Sequence, residues 1–143
     1  MESVKDVIKL KIPARGEYLS LIRLTASSIA AKMGFNIDDI DDVKVSVGEA
    51  CTSIIESLNP KEESEFKIEY VVSEDSLDIE IKSKVRSERE ETEEIDEDAM
   101  ELASLLEDGL GIMIIQSLMD DVDISKSEEG EMEIKMTKSK KDE

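Results

Sequence analysis

Two places in this chain carry residue types that suit phosphate chemistry. Glu49 and Ser53 stand one helical turn apart within 38–58, a segment whose apolar residues recur at helical spacing. An i, i+4 pair lies on one helix face, so a carboxylate and a hydroxyl there can address the same group. Further on, Asp108-Gly109-Leu110-Gly111 opens a second apolar segment. A helix start attracts phosphate through its free N–H groups and its dipole. Asp108 puts a carboxylate at that start, where it caps the helix itself and repels an anion.

Positioning these groups takes a frame, and the spacing of apolar residues outlines one. Val7, Ile8, Leu10 and Ile12 read as a strand, ended by Pro13. Residues 17–33 follow as an amphipathic helix with Leu21, Leu24, Ser28 and Ala31 at helical spacing, stopped by Gly34. Asn36 is the N-cap of the next helix, and Asp38 and Asp39 sit in its first turn, where the dipole favours negative charge. Ile37, Ile40, Val43, Val47, Ala50, Ile54 and Leu58 mark its buried face, and Asn59-Pro60 ends it. Residues 66–72 and 77–81 alternate apolar with polar across a short gap and form a hairpin. From 88 to 98 the chain has eight acidic residues in eleven, a run with little to bury, expected to be mobile. A short helix over 99–106, docked through Leu102, Leu105 and Leu106, precedes a buried helix over 110–119. A second hairpin, 122–125 with 132–136 about Glu129-Gly130, closes the domain, and 138–143 is expected to fray.

The expected fold class is α+β: one domain over 1–137, a two-layer sandwich with a mostly antiparallel sheet and helices on one face. An acidic loop at about 86–98 and a charged tail at 138–143 complete the organisation.

Composition narrows the partners. The net charge is −19 and charged residues make up 38% of the chain. Such a field repels nucleic-acid phosphates and anionic lipids and favours a basic protein surface. The absence of histidine removes the commonest metal ligand and histidine-based catalysis. Cys51 is the one cysteine and reads as a small core residue. With no signal-like start and no long uncharged apolar run, the expected location is cytoplasmic, with no membrane contact.

Ile22-Arg23-Leu24-Thr25, Val47-Gly48-Glu49-Ala50-Cys51-Thr52-Ser53, Gly109-Leu110-Gly111-Ile112 and Leu118-Met119-Asp120-Asp121-Val122 together resemble the serine-kinase anti-sigma factors. The resemblance runs in matching order over roughly 8–136. It implies the ATPase fold shared with gyrase, histidine kinases and heat-shock chaperones. Members hold a sigma factor and phosphorylate an anti-anti-sigma protein. Carried over by position, Glu49 is the base acting on the attacking serine hydroxyl, Gly109 and Gly111 are nucleotide-binding, and Arg23 contacts the partner. Ser53 stands where the family has an asparagine that binds Mg²⁺. Its hydroxyl is a shorter and weaker ligand than an amide carbonyl.

Two further departures touch the nucleotide. The family's Asp-x-Gly turn, whose aspartate accepts from the adenine amine, is missing from Ile81-Lys82-Ser83-Lys84-Val85-Arg86-Ser87. The family's Gly-Gly-Leu-Gly begins here with Asp108. At about 4 Å a like-charge contact costs from roughly 1 kcal/mol in water to about 4 kcal/mol near a protein surface. A micromolar affinity is worth only about 8 kcal/mol. Lys82, Lys84, Arg86 and Arg89 are the cations available to offset that repulsion.

The resemblance and its altered residues imply an anti-sigma-like regulator. It would be a homodimer that binds a sigma factor or an anti-anti-sigma partner, with ATP binding impaired or lost and no cofactor. The alternative is an active ATP-dependent serine kinase using ATP and Mg²⁺, with Glu49 as base and Ser53 on the metal.

Overall fold

The computed structural model describes residues 4–58, 63–84, 110–127 and 130–140. The acidic run, the segment 99–106, and Asp108 and Gly109 lie outside the described residues.

Alternating apolar and charged residues build five strands: β1 (Val4–Pro13), β2 (Glu65–Ser73), β3 (Ser76–Lys84), β4 (Asp121–Lys126) and β5 (Glu131–Ser139). They form one sheet in the order β1-β2-β3-β5-β4, every neighbouring pair antiparallel. The period of two sends Phe66, Ile68 and Tyr70 of β2 to one face with Leu77, Ile79 and Ile81 of β3 and Ile134 and Met136 of β5. Burying each such side chain stabilises the fold by about 1.5–3 kcal/mol. The alternate residues face solvent and pair weakly, as in Lys9–Glu69 at 3.9 Å, Lys67–Glu131 at 3.7 Å and Lys82 with Glu80 and Glu133 at 3.3 Å each.

The inner face carries α1 (Leu19–Met33), α2 (Ile37–Glu56) and α3 (110–118). A 3-10 turn, Gly16–Tyr18, leads into α1, so the regular helix starts at Leu19 rather than at Glu17. Gly34 closes it in the left-handed conformation at φ 93°, as its expected stop. Asn36 caps α2: its Oδ1 accepts from the Asp39 N–H at 2.7 Å. Asn36→Ala should therefore cost about 1 kcal/mol of stability, measured by urea unfolding. An unchanged midpoint would mean that the cap contributes nothing. Among the described residues, no helix is long and apolar enough to cross a membrane.

Ile37, at the start of α2, is 76% exposed and lies off its buried face, against the sequence expectation. Three further expectations are corrected. The face of α1 toward the sheet is Ile22, Ala26, Ile29 and Ala30, and not the stripe containing Leu21 and Leu24, which are 52% and 60% exposed. The helix has two apolar stripes about one residue apart, and spacing alone cannot choose between them. The Tyr70 hydroxyl makes the choice visible, donating to the Ile22 carbonyl at 3.0 Å from the sheet. Helix α3 is not buried all round. Ile115 and Met119 go inward, while Leu110 and Met113 are 64% and 63% exposed.

Third, β5 continues to Ser139, into the stretch expected to fray. The alternation Ile134, Met136, Lys138 carries a lysine inward, and only 3% of it is exposed. Its Nζ donates to Asp42 Oδ2 at 3.2 Å and to the Leu118 carbonyl, with Asp39 Oδ1 at 3.7 Å. One ammonium thus joins the start of α2, the end of α3 and the last turns of β5. Residues 141–143 lie outside the described residues.

Candidate functional site

Helix α2 is the spine of the site. It presents Glu49 half-buried and Ser53 buried, on neighbouring turns. Helix α3 lies antiparallel beside it, because its two ends are fixed on α2. The far end is the lysine anchor, through the Leu118 carbonyl. The near end is a close approach at Gly111. A Cβ built there would fall 2.9 Å from Ser53 Oγ, 3.3 Å from Glu49 Oε1 and 3.9 Å from the Glu49 carbonyl oxygen. The first distance is shorter than real Cβ atoms show, so a larger residue there would force Ser53 to turn or α3 to shift. Two segments far apart in sequence therefore meet, and Glu49, Ser53 and Gly111 form one cluster. Gly109 and Asp108 fall outside the described residues.

Arg23 meets α2 on a different side. Its Cδ and Nη1 lie 3.2 and 3.4 Å from where a Cβ at Gly48 would stand. The side chain is half-buried, lying along α2 rather than extending freely from α1. Its charge is felt at Cys51, whose thiol burial pushes up to about 12, with the guanidinium pulling weakly the other way. A fully buried thiol held that high is an inert core group, as the sequence implied.

Strand β3 leads to the stretch that lacks Asp-x-Gly. Lys82 stands on the open face of the sheet, paired with Glu80 and Glu133, whose hydrogen bonds raise its pKa. Lys84 is exposed two residues on, in the same alternation. The sheet separates Lys82 from the helix layer, so it cannot offset charge near Gly111. Ser83 points inward instead, 1% exposed, and its hydroxyl has no hydrogen-bond partner among the described residues. Ser46, fully buried on α2, likewise has no partner among the described residues.

Glu49, Ser53 and Gly111 were readable as candidates from sequence, and the fold brings them together. Ser83, Gly48 and Lys138 were missed as structural participants. The signal for Ser83 and Lys138 was the period of two, continued past the last apolar residue of each strand. Nothing in the sequence pointed to Gly48.

Among the described residues, no three acidic or cysteine side chains gather to hold a metal ion. The oxygens beside Gly111 are one carboxylate and one neutral hydroxyl. Mg²⁺ asks for near-octahedral oxygen donors, commonly including one or two carboxylates. Ser53 also has its hydroxyl against the α3 backbone. The two make a sparse protein ligand set, one carboxylate and one hydroxyl, which Mg²⁺ would complete with nucleotide phosphates and water.

The model of the family described as histidine kinase-like ATPase domain matches residues 12–138. A serine-protein kinase RsbW of Bacillus velezensis is 32% identical over 137 residues, covering 89% of this chain and 82% of that protein. The RsbW of Bacillus pumilus is 35% identical over 131 residues, covering 87% and 81%. The RsbW of Bacillus cereus strain Q1 is 36% identical over 138 residues, covering 93% and 84%. Among solved structures, the RsbU and RsbW domains of a Mycobacterium tuberculosis protein superpose with a TM-score of 0.68 at 10% identity. That match covers 94% of this chain and 32% of the other, and it speaks for the fold alone.

Proposed function

The chain belongs to the histidine kinase-like ATPase domain family, in the branch of the serine-kinase anti-sigma factors, and on that premise we propose a partner-binding regulator whose nucleotide site is too weak to run a kinase cycle. Its partner is a sigma factor or an anti-anti-sigma protein, met in the cytoplasm. The contact at Gly111 carries this reading. Ser53 is 3% exposed and its hydroxyl abuts the backbone of α3, where the kinase reading needs an open metal position. The neutral, inward Ser83 beyond Ile81 and the open-face placement of Lys82 add support.

The surface proposed for binding is the outer side of α1. Leu21 and Leu24 are exposed there, with Arg23 on the neighbouring, α2-facing side of the helix, and Arg23 is the proposed partner contact. Homodimerisation is proposed through the same region together with β1, a strand at the margin of the sheet. Release would then follow competition between partners and not phosphorylation.

One observation favours the kinase alternative. Glu49 keeps a half-exposed carboxylate beside the first turns of α3, where a base would have to stand. In that reading Glu49 is the base, Ser53 and Gly111 touch the nucleotide, and ATP with Mg²⁺ supplies the phosphoryl group.

Calorimetric titration with MgATP separates the two. The native chain should give no heat of binding at micromolar nucleotide. A variant with Ser53→Asn, Asp108→Gly and an Asp-x-Gly turn rebuilt after Ile81 should recover it. Micromolar binding by the native chain would sink the weak-site reading and make Glu49→Gln the next variant to test.

A further inference from the structure

We propose that Gly48 is the positioning residue for Arg23, leaving a notch in α2 along which the arginine stem lies. The inference rests on the reading of Arg23 as a partner contact, and it adds what holds that contact in place. Gly48 stands in the middle of α2, where glycine weakens a helix relative to alanine. Its backbone does not need glycine, because the only glycines at positive φ among the described residues are Gly34 and Gly130. It does not admit a close backbone either. The three nearest atoms to a Cβ built at Gly48 all belong to one side chain: Arg23 Cδ at 3.2 Å, Nη1 at 3.4 Å and Cγ at 3.8 Å. What the missing side chain provides is room for the arginine.

That room has a use. A free arginine loses much rotamer freedom when a partner fixes it, and a side chain already laid in a groove loses less. With its stem on α2, Arg23 is half-buried, on the same helix as Leu21 and Leu24, which are 52% and 60% exposed. The result is a fixed cation on a chain whose net charge is −19. Such partly desolvated arginines are typical anchors of protein interfaces.

A double-mutant cycle tests the seat without a partner. Gly48→Ala and Gly48→Leu would be made alone and with Arg23→Ala, and followed by urea unfolding. In the same samples the Arg23 Nε–H would be followed in spectra of ¹⁵N-labelled protein. With Arg23→Ala present, Gly48→Ala should raise the folded-to-unfolded ratio about fivefold, the gain in helix propensity. With Arg23 in place the gain should be smaller by at least about threefold, the coupling expected of residues in contact. Its Nε–H should also exchange faster in both Gly48 variants. Equal gains in the two backgrounds, with an unmoved Arg23 signal, would overturn the proposal. The contact reading fails by a different result: capture of a recombinant sigma factor left unchanged by Arg23→Ala while the Gly48–Arg23 coupling persists.

Discussion

Lys138→Met should destabilise the fold by about 3–5 kcal/mol, the usual cost of removing one partner from a buried ion pair. The lysine side chain is 4% exposed, and its two carboxylate partners, Asp39 and Asp42, are 11% and 30% exposed. Methionine fills the volume but leaves both carboxylates facing an apolar group and the Leu118 carbonyl without its donor. The larger share of the loss is the desolvation of charges left unpaired, and less of it is attraction forgone. Adding Asp39→Asn and Asp42→Asn to Lys138→Met should then recover part of the stability, because the stranded charges are gone. Urea unfolding of the three proteins decides it. A single variant within about 1 kcal/mol of the native chain would place this cluster among ordinary surface pairs.

Gly111→Ala should also destabilise, by about 1–3 kcal/mol, although alanine is the better helix former. The added methyl would stand 2.9 Å from Ser53 Oγ and 3.3 Å from Glu49 Oε1, so α3 must lift or Ser53 must turn. The direction of the effect separates close packing from helix propensity, which predict opposite signs. Ser53→Ala removes the nearer obstacle and should restore most of the loss in the Gly111→Ala background. Hydrogen exchange over 112–118 offers a second reading, with faster exchange in Gly111→Ala alone. A stabilised Gly111→Ala would show that α3 is not seated on these two side chains.

These residues also mark where sequence reading stops. Strand and helix placement was legible because period two and period 3.6 are properties of the chain itself. The cap at Asn36 was legible for the same reason, since its partner is three residues away. The buried side of α1 was not, because Leu21 and Ile22 both belong to acceptable stripes and the tyrosine that distinguishes them lies on β2. Lys138 looked like a tail residue because its charge suggested solvent. Its two acidic partners are on α2, Asp42 being 96 residues away in sequence. In the candidate site, Glu49 and Ser53 were found by their spacing, and their meeting with Gly111 depends on how α3 is laid along α2. Gly48 was invisible as a seat, since a glycine within a helix announces nothing about which side chain crosses it.

The two margins of the sheet differ in a way that bears on how copies of this chain can join. One margin is β4, six residues long, with Asp121, Asp123 and Lys126 along it. Its shortness leaves little for a further strand to pair with there. The other is β1, ten residues long, with Val7 exposed on its flank. Among the described residues, a sheet with one short margin and one long one offers a further strand more pairing on the long side. Two copies joined margin to margin along β1 would leave the short β4 at each outer end, with little to extend the sheet further.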